Sequence, residues 1–392
     1  MLTSLAYVFL LGMLLGWVFS RIGLPSLLGM LVTGILLGPC VLNLLDPALL
    51  GISADLRQLA LIIILTRAGL SLNIADLKRV GRPAVLMCFV PACFEICGMV
   101  LLAPKLLGIT ALEAAVMGAV IAAVSPAVIV PKMLRLMEEG YGTAKSIPQM
   151  ILAGASVDDV FVIVLFTAFT GISQGDTVAV MDFLQVPLSI LLGIACGAAL
   201  GHLLALLFRK KHMRDTAKVL IILSAAFLLV ALENRVKGIV PFSGLIAVMC
   251  LGILLQRNRP EVAVRLSAKF SRLWVAAEVL LFVLVGAAVD IRYAAQAGPA
   301  VVLLLCCVLL FRMAGVFCCM LGTVLNAKER LFCIIAYMPK ATVQAAIGAV
   351  PLSMGLACGQ IVLTVAVLSI LITAPLGAFG VERTYKVLLR KK

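Results

Sequence analysis

The sequence has few charged residues and almost no histidine. Only 13% of its 392 residues are Asp, Glu, Lys or Arg, and 64% are hydrophobic, whereas soluble globular chains have about 25% and roughly 45–50%. This composition excludes a water-soluble fold. The histidines are His202 and His212, and the 12 cysteines lie mostly in apolar runs without CxxC spacing. We therefore expect neither a zinc site nor a disulfide scaffold.

Long apolar runs follow one another along the whole chain. A bilayer core about 30 Å thick requires about 20 apolar residues per helix. Polar and helix-breaking residues divide the chain into thirteen apolar runs. These candidate spans are centred near residues 11, 34, 65, 94, 120, 160, 195, 223, 247, 280, 309, 340 and 369. We predict an all-α polytopic membrane protein with about thirteen transmembrane helices. Because the polar connections are only loop-sized, we expect residues 1–392 to form a single transmembrane transporter domain with no soluble domain.

Lysine and arginine are distributed unevenly among the predicted loops. Cytoplasmic loops of membrane proteins collect these residues. Placing the C-terminus inside assigns the basic clusters at 78–82, 209–218, 257–272 and 383–392 to the cytoplasm. The opposite side then receives only Lys105, Arg235, Lys237 and Arg292. We expect an integral protein of the plasma (inner) membrane, with the N-terminus outside and the C-terminus cytoplasmic. The net charge of +14 then reflects membrane topology and contact with the lipid bilayer, so we expect no nucleic-acid partner.

Two parts of the sequence resemble each other. The related segments are GRPAVLMCFVPACFE (81–95) with AGPAVVLLLCCVLLFR (297–312), and AVSPAVIVP (123–131) with AYMPKATVQAAIG (336–348). By the loop count, the helices that carry the second pair start on opposite sides of the membrane. Inverted repeats form transport sites where discontinuous helices meet near the midplane. We place the inverted repeats at approximately 26–172 and 240–380.

Two adjacent acids lie in the middle of one apolar run. Asp158 and Asp159 belong to ILAGASVDDVFVIVLFTAF (151–169). An ionised carboxylate there is costly unless water, a cation or a partner reaches it, so intramembrane acids are functional by default. Such a group can hold a proton, release it and bind a cation instead. We predict that Na⁺ or Li⁺ competes with a proton at Asp158 and Asp159. The alternative is a structural pair neutralised by neighbouring helices.

Prolines occur within two other apolar runs. Pro126 and Pro131 bracket one segment, and Pro339 and Gly348 bracket another. Proline removes a backbone donor and clashes with the preceding turn. We therefore predict that both helices break near the membrane centre, which leaves free carbonyls in a dry medium. An ordinary proline kink is the alternative for each.

Polar side chains accompany these prolines. Ser125, Thr342 and Gln344 add neutral oxygens suited to a partly dehydrated cation. Lys340 is expected to offset the negative ends of the half-helices or to pair with Asp158. We expect Ser125, Pro126, Lys340, Thr342 and Gln344 to support the cation and proton site.

Glu95 and Arg312 lie at related points of the two repeats and have opposite charges. Each alone is costly inside a membrane, so we predict that they pair. A closed ion pair has no free position for a moving ion. We therefore favour a structural role for Glu95 and Arg312 over direct transport.

Six segments together resemble a known family. They are PSLLGMLVTGILLGP (25–39), LTRAGLSL (65–72), AVSPAVIVP (123–131), ASVDDVFVIVLF (155–166), PFSGLIAVMCLGILL (241–255) and YMPKATVQAAIG (337–348). The sequence resembles the monovalent cation:proton antiporters of the type 2 branch, and most closely the sodium/proton antiporters related to the sodium/hydrogen exchanger 9B subfamily. The likeness runs nearly from end to end.

The resemblance implies a fold and a mechanism. It implies a homodimer with a dimerisation bundle, a six-helix core with two crossing broken helices, and elevator-type alternating access. It also implies that Asp159 is the main carrier of cation and proton, with Asp158 beside it. Many electrogenic relatives carry lysine where this sequence has Arg312, which favours exchange of one cation for one proton. We expect no cofactor and no enzymatic activity.

The sequence is also compatible with two other functions. A K⁺/H⁺ antiporter has the same fold, and single residues do not fix cation preference. An intramembrane aspartyl protease also needs two membrane carboxylates. A protease normally carries them on separate helices within a GxGD-type motif, whereas here they are adjacent and the motif is missing. We therefore expect a secondary active antiporter that exchanges Na⁺ or Li⁺ for H⁺.

Overall fold

A computed structural model of the chain describes residues 1–71, 81–173, 180–211, 213–236 and 240–391. Some positions used in the sequence analysis lie outside the described residues, among them Leu72, Lys78, Arg79, His212, Lys237 and Lys392. The described part of the chain is almost entirely helical, and its β contacts are limited to one isolated bridge between Tyr141 and Lys391. The predicted all-α class is confirmed.

The helices of the first half of the chain precede or carry the aspartate pair. They are α1 (Leu2–Arg21), α2 (Ser26–Leu37), α3 (Pro47–Gly51), α4 (Ser53–Ser71), α5 (Arg82–Met87), α6 (Val90–Leu107), α7 (Ala111–Ile121), α8 (Pro126–Glu139) and α9 (Ile147–Ser173). The helices of the second half are α10 (Val180–Lys210), α11 (Asp215–Val236), α12 (Gly244–Asn258), α13 (Pro260–Ala287), α14 (Ile291–Cys319), α15 (Ala327–Ala336), α16 (Thr342–Ile347), α17 (Val350–Ser353) and α18 (Gly359–Leu388).

Eight helices of the described residues are long and apolar enough to cross a membrane. They span Leu2–Arg21, Arg82–Leu107, Ile147–Ser173, Leu188–Lys210, Asp215–Val236, Pro260–Ala287, Gly298–Cys319 and Gly359–Leu388. Four shorter apolar helices, Ser26–Leu37, Ala111–Ile121, Gly244–Asn258 and Thr342–Ser353, accompany them. The exact number of thirteen spans stays a prediction, because several runs are divided into short helices.

Side-chain caps fix where two of the short helices begin. At the start of α7, the Thr110 hydroxyl accepts a hydrogen bond from the Glu113 N–H while the Glu113 carboxylate accepts one from the Thr110 N–H. Asn326 and Glu329 form the same arrangement at the start of α15. These capping boxes satisfy N–H groups that the first turn leaves without helical partners. The sequence thus sets the starts of the helices that lead into both breaks.

The chain forms two compact units. The first contains Met1–Ala54, Ala75–Val162 and Val279–Lys392, and the second contains Asp55–Ile74 and Ile163–Glu278. In the second unit, α10 packs against α12 through Gly193, Gly197 and Gly201, which recur every four residues and face the α12 backbone. Small residues at this spacing let two membrane helices approach closely.

In the first unit, α6 packs tightly against α14. A Cβ atom at Gly98 would lie 2.7 Å from Cγ of Phe311, and one at Gly315 would lie 2.9 Å from Cα of Pro91. Real Cβ atoms do not approach so closely, so only glycine permits this helix spacing. The close approach places Glu95 on α6 against Arg312 on α14.

Candidate functional site

The first broken helix consists of α7 and α8, joined by the non-helical residues 122–125. Pro126 is the first residue of α8, where its missing N–H requires no partner. Pro131 lies inside α8 and the helix continues through it. The predicted break is therefore present, and it lies directly before Pro126, whereas Pro131 does not interrupt the helix.

The second broken helix consists of α15 and α16, joined by residues 337–341 around Pro339. Thr342 begins α16 and Gly348 follows its last residue. The two breaks are hydrogen-bonded to each other, because the N–H of Ser125 donates to the Pro339 carbonyl at 2.8 Å. The predicted crossing of two broken helices is present at this contact.

The first break leaves three successive carbonyl groups without helical partners, and side chains from the second half of the chain bind all of them. The Ile121 carbonyl accepts from Lys340 Nζ and from Gln344 Nε2. The Ala122 carbonyl accepts from Arg312. The Ala123 carbonyl accepts from Gln344 Nε2 at 2.8 Å. Backbone groups in a membrane interior must be satisfied inside the protein, so these donors stabilise the break.

Arg312 is 1% exposed and donates to acceptors on several elements. Its Nη1 lies 2.7 Å from Glu95 Oε2, its Nε lies 2.7 Å from the Tyr337 carbonyl, and its Nη2 lies 3.5 Å from Asp158 Oδ2. The structure therefore brings Glu95 and Arg312 into contact, as the repeat positions predict. The pair is not closed, because the same guanidinium also faces Asp158.

Lys340 contacts Glu95 and not Asp158. Its Nζ lies 2.6 Å from Glu95 Oε1 and also donates to the Ile121 carbonyl, the last carbonyl of α7. Of the two roles expected for Lys340, the structure shows the first, a cation at the negative end of a half-helix. The expected ion pair with Asp158 is not formed, and the ammonium group lies instead against the second carboxylate oxygen of Glu95.

Asp158 and Asp159 lie in the middle of α9. Asp158 is fully buried, and its Oδ2 accepts from the Val124 N–H at 2.8 Å. The Oδ1 atoms of Asp158 and Asp159 are both buried and have no hydrogen-bond partner among the described residues. A buried carboxylate oxygen without a donor is costly, so a proton or a cation at either atom would lower the energy of the site.

The supporting residues lie at the same crossing. Ser125 and Thr342 are buried, and the Ser125 hydroxyl has no partner among the described residues. Both amide hydrogens of Gln344 point at carbonyls of the first break, whereas its Oε1 is buried without a described partner. The structure shows the Gln344 amide nitrogen as a donor to backbone, and the expectation that its oxygen contacts a cation stays a prediction.

Sequence reasoning missed Tyr337 and Thr373. The Tyr337 carbonyl accepts from Arg312, its ring lies 5.3 Å from the guanidinium carbon, and its hydroxyl donates to the Met87 carbonyl. Thr373 Oγ1 accepts from the Lys340 N–H at 3.0 Å. Tyr337 directly precedes the MPK segment, so its place beside the second break was a usable signal. Thr373 lies on α18, and no pattern in the sequence points to its contact.

Comparison with solved structures places this fold among known transporters. The sodium proton antiporter from Methanocaldococcus jannaschii, solved at pH 8, aligns with a TM-score of 0.85 over 99% of this chain and 98% of that chain, at 20% sequence identity. This likeness shows that the chain has the fold of that antiporter. The expected antiporter fold is confirmed.

Comparison with curated proteins identifies the family. Sodium/hydrogen exchanger 9B2 of Mus musculus is 33% identical over 91% of this chain and 66% of its own length. Sodium/hydrogen exchanger 9B2 of Homo sapiens is 34% identical over 94% of this chain and 70% of its own length. The chain thus spans about two thirds of the length of these relatives. The family model for the transmembrane part of sodium/hydrogen exchangers matches residues 7–386. The chain therefore belongs to the sodium/hydrogen exchanger family, whose members are transporters and not enzymes.

Proposed function

We propose that the chain is a secondary active antiporter that exchanges Na⁺ or Li⁺ for H⁺ by competition at Asp158 and Asp159. The observation that carries this proposal is the pair of buried Oδ1 atoms without hydrogen-bond partners among the described residues. Asp158 Oδ2 is already engaged by the Val124 N–H and by Arg312. Asp159 is therefore the main carrier of cation and proton, and Asp158 supports it.

The charges around the aspartate pair favour binding of one cation at a time. Arg312 and Lys340 supply two positive charges, and Glu95, Asp158 and Asp159 supply three negative charges when all are ionised. One proton or one monovalent cation balances this cluster. A buried cluster with net charge crosses a membrane at high cost. Exchange is coupled because the protein moves the balanced forms and not the empty, charged form.

The supporting residues, the alternating access and the assembly belong to the same proposal. Ser125 and Thr342 supply neutral oxygens, and Pro126 fixes the first break, beside which both residues are buried. Glu95, Arg312, Lys340 and the aspartate pair all belong to the first compact unit, so they can travel together in elevator-type alternating access. We include in the proposal a homodimer in the plasma (inner) membrane, with the N-terminus outside and the C-terminus cytoplasmic.

The stoichiometry proposed is one cation for one proton. Arginine stays protonated at any physiological pH, and Arg312 is held by Glu95 and by two backbone carbonyls. Lys340 is held by Glu95 and the Ile121 carbonyl. Exchange in liposomes should therefore proceed at the same rate with the membrane voltage at zero or inside-negative. A marked voltage dependence that Lys340→Gln removes would assign a second proton to Lys340.

The direct test is exchange in proteoliposomes with an internal pH dye, using Na⁺, Li⁺ and K⁺ in turn. We expect Na⁺ or Li⁺ to drive proton movement in the wild type and Asp159→Asn to abolish it, because an amide neither loses a proton nor neutralises a cation. Asp290→Asn is the matched control, since Asp290 caps α14 and asparagine caps helices equally well. Normal exchange by Asp159→Asn would refute the proposed site.

The K⁺/H⁺ alternative has the same fold and is decided by the same dye measurement, in which a response to K⁺ alone would support it. The aspartyl protease is no longer an alternative, because the family consists of transporters.

A further inference from the structure

Gln344 is connected to Asp158 by a single peptide group. The carbonyl oxygen of Ala123 and the N–H of Val124 belong to the same peptide bond. Gln344 Nε2 donates to that oxygen at 2.8 Å, and Asp158 Oδ2 accepts from that N–H at 2.8 Å. The two side chains are 186 residues apart in sequence, on α16 and α9, and the backbone of the first break connects them.

The orientation of the Gln344 amide follows from its acceptors. Its Nε2 faces two carbonyl oxygens, those of Ile121 and Ala123, at 3.2 and 2.8 Å. An amide rotated by 180° would place its own oxygen against both carbonyls, with no donor between them. Nε2 is therefore the atom that faces the break. In a trans peptide the carbonyl and the N–H point in opposite directions, so Gln344 acts from the far side of the peptide from Asp158.

The peptide group couples the hydrogen bond at its carbonyl to the hydrogen bond at its N–H, because each polarises the other. When its oxygen accepts a hydrogen bond, its N–H becomes a stronger donor, by about 10–30% of the strength of the bond. The effect is largest in a dry interior, and both Gln344 and Asp158 are fully buried. The stronger donor stabilises the ionised carboxylate of Asp158 more than the protonated form, since a carboxylate is the better acceptor.

We infer that Gln344 is a positioning residue that sets the balance between proton and cation at the aspartate pair, acting through the Ala123–Val124 peptide. This inference rests on the proposed exchange of cation for proton. The second broken helix would thereby affect the first. Movement of α16 relative to residues 122–125 would change the hydrogen bond from Gln344 to the Ala123 carbonyl, and so how readily Asp158 gives up its proton. In this scheme the Nε2 atom of Gln344 acts through the peptide group and touches neither the proton nor the cation.

Gln344→Met removes both donors while keeping the length of the side chain. We expect the apparent KM for Na⁺ below the pH optimum to rise about two- to fivefold, and the pH of half-maximal exchange to move upward by about 0.3 to 0.7 unit. The sign follows because a less stabilised carboxylate lets protons compete more strongly. The maximal rate at saturating Na⁺ and alkaline pH should stay at the wild-type value.

Gln149→Met is the matched control, because it removes a glutamine amide from the same unit without touching the crossing. Its pH profile should coincide with that of the wild type. If Gln344→Met does not accumulate, Gln344→Asn carries the test, since its shorter amide loses reach to the Ala123 carbonyl while staying polar. A second measurement does not depend on transport. The rise in melting temperature that Na⁺ causes in the detergent-solubilised protein is recorded at each pH and compared between the same variants.

Two results would overturn different claims. A Gln344 variant that exchanges more slowly at every pH with an unmoved profile would show that Gln344 only holds the helices together, and the inference would be wrong while the proposed function stands. A wild-type protein that moves no protons in response to Na⁺, Li⁺ or K⁺ would refute the proposed function itself.

Discussion

Two clusters of charged residues in the first unit contain similar groups at similar distances but differ in burial. In the buried cluster, Arg312 and Lys340 contact Glu95 at 2.6–2.7 Å, with all three side chains 1% exposed. In the exposed cluster, Arg135 contacts Glu139 and Glu382 at 2.6 and 2.9 Å, with side chains 32–53% exposed. The distances are the same within a few tenths of an ångström, so the difference in consequence comes from the surroundings.

Exposure to solvent determines how much each cluster contributes to stability. Around Glu139, the hydrogen bond from Arg135 lowers the pKa of the carboxyl group, so it stays ionised at physiological pH and adds no titration there. Solvent screens such a pair and compensates for the loss of either member. In the buried cluster no solvent replaces a lost partner, so removing one charge leaves the others uncompensated. We therefore expect loss of one charge to lower the free energy of unfolding strongly in the buried cluster and only slightly in the exposed cluster.

The largest effect is expected from removing one charge of the buried cluster. Glu95→Gln and Arg312→Gln should each lower the free energy of unfolding by about 3–5 kcal/mol, because each leaves a buried charge without its partner. The double variant should cost less than the sum of the two, because both single variants already lose the same contact between Glu95 and Arg312. Thermal denaturation of the detergent-solubilised variants measures these losses of stability. Additive losses would show that the two side chains are not coupled.

A smaller effect is expected from the glycine that lets α6 and α14 approach. Gly315→Val places a side chain against the Pro91 backbone and the Phe94 ring, and such overpacking costs about 1–3 kcal/mol. Exchange should slow as well, because the helix spacing also sets the contact between Glu95 and Arg312. Gly298→Ala on the same helix is the control, since a Cβ atom there meets nothing within 4 Å of the described chain. Equal stability of the two variants would contradict the packing account.

The smallest effect is expected from the exposed cluster. Glu382→Gln removes one acid that contacts Lys132 and Arg135, and it should change the free energy of unfolding by no more than about 1 kcal/mol. The rate of exchange and its pH profile should match the wild type. A loss as large as that of Glu95→Gln would remove the distinction between the two clusters.

Much of the fold and part of the site can be predicted from the sequence. Composition alone gives a helical membrane protein, and the mid-span position of Asp158 and Asp159 marks them as functional. The prolines indicate the two broken helices, and the repeat relation indicates that Glu95 faces Arg312. The predictions of the helical class, of the two breaks and of the contact between Glu95 and Arg312 are confirmed, because each rests on a local cost such as a buried charge or a missing backbone donor. The role of Asp158 and Asp159 stays a prediction.

Other features depend on geometry that single residues do not fix. The partner of Lys340 is Glu95, because the carboxylate reaches Lys340 and Arg312 with one oxygen each. Gln344 serves as a donor because the break exposes the carbonyls of Ile121 and Ala123 on its side. Which carbonyls a break leaves free is decided by how the two half-helices cross. The break itself falls before Pro126, since a proline fits the first turn of a helix as well as it ends one.

If one cation and one proton compete for the same carboxyl pair, binding of the cation must release a proton. Na⁺ is added to the detergent-solubilised protein in weak buffer near the pH of half-maximal exchange, and the released protons are counted against bound Na⁺. The account predicts release that approaches one proton per Na⁺ bound as the pH is lowered, and none from Asp159→Asn. Binding of Na⁺ without proton release at any pH would contradict it.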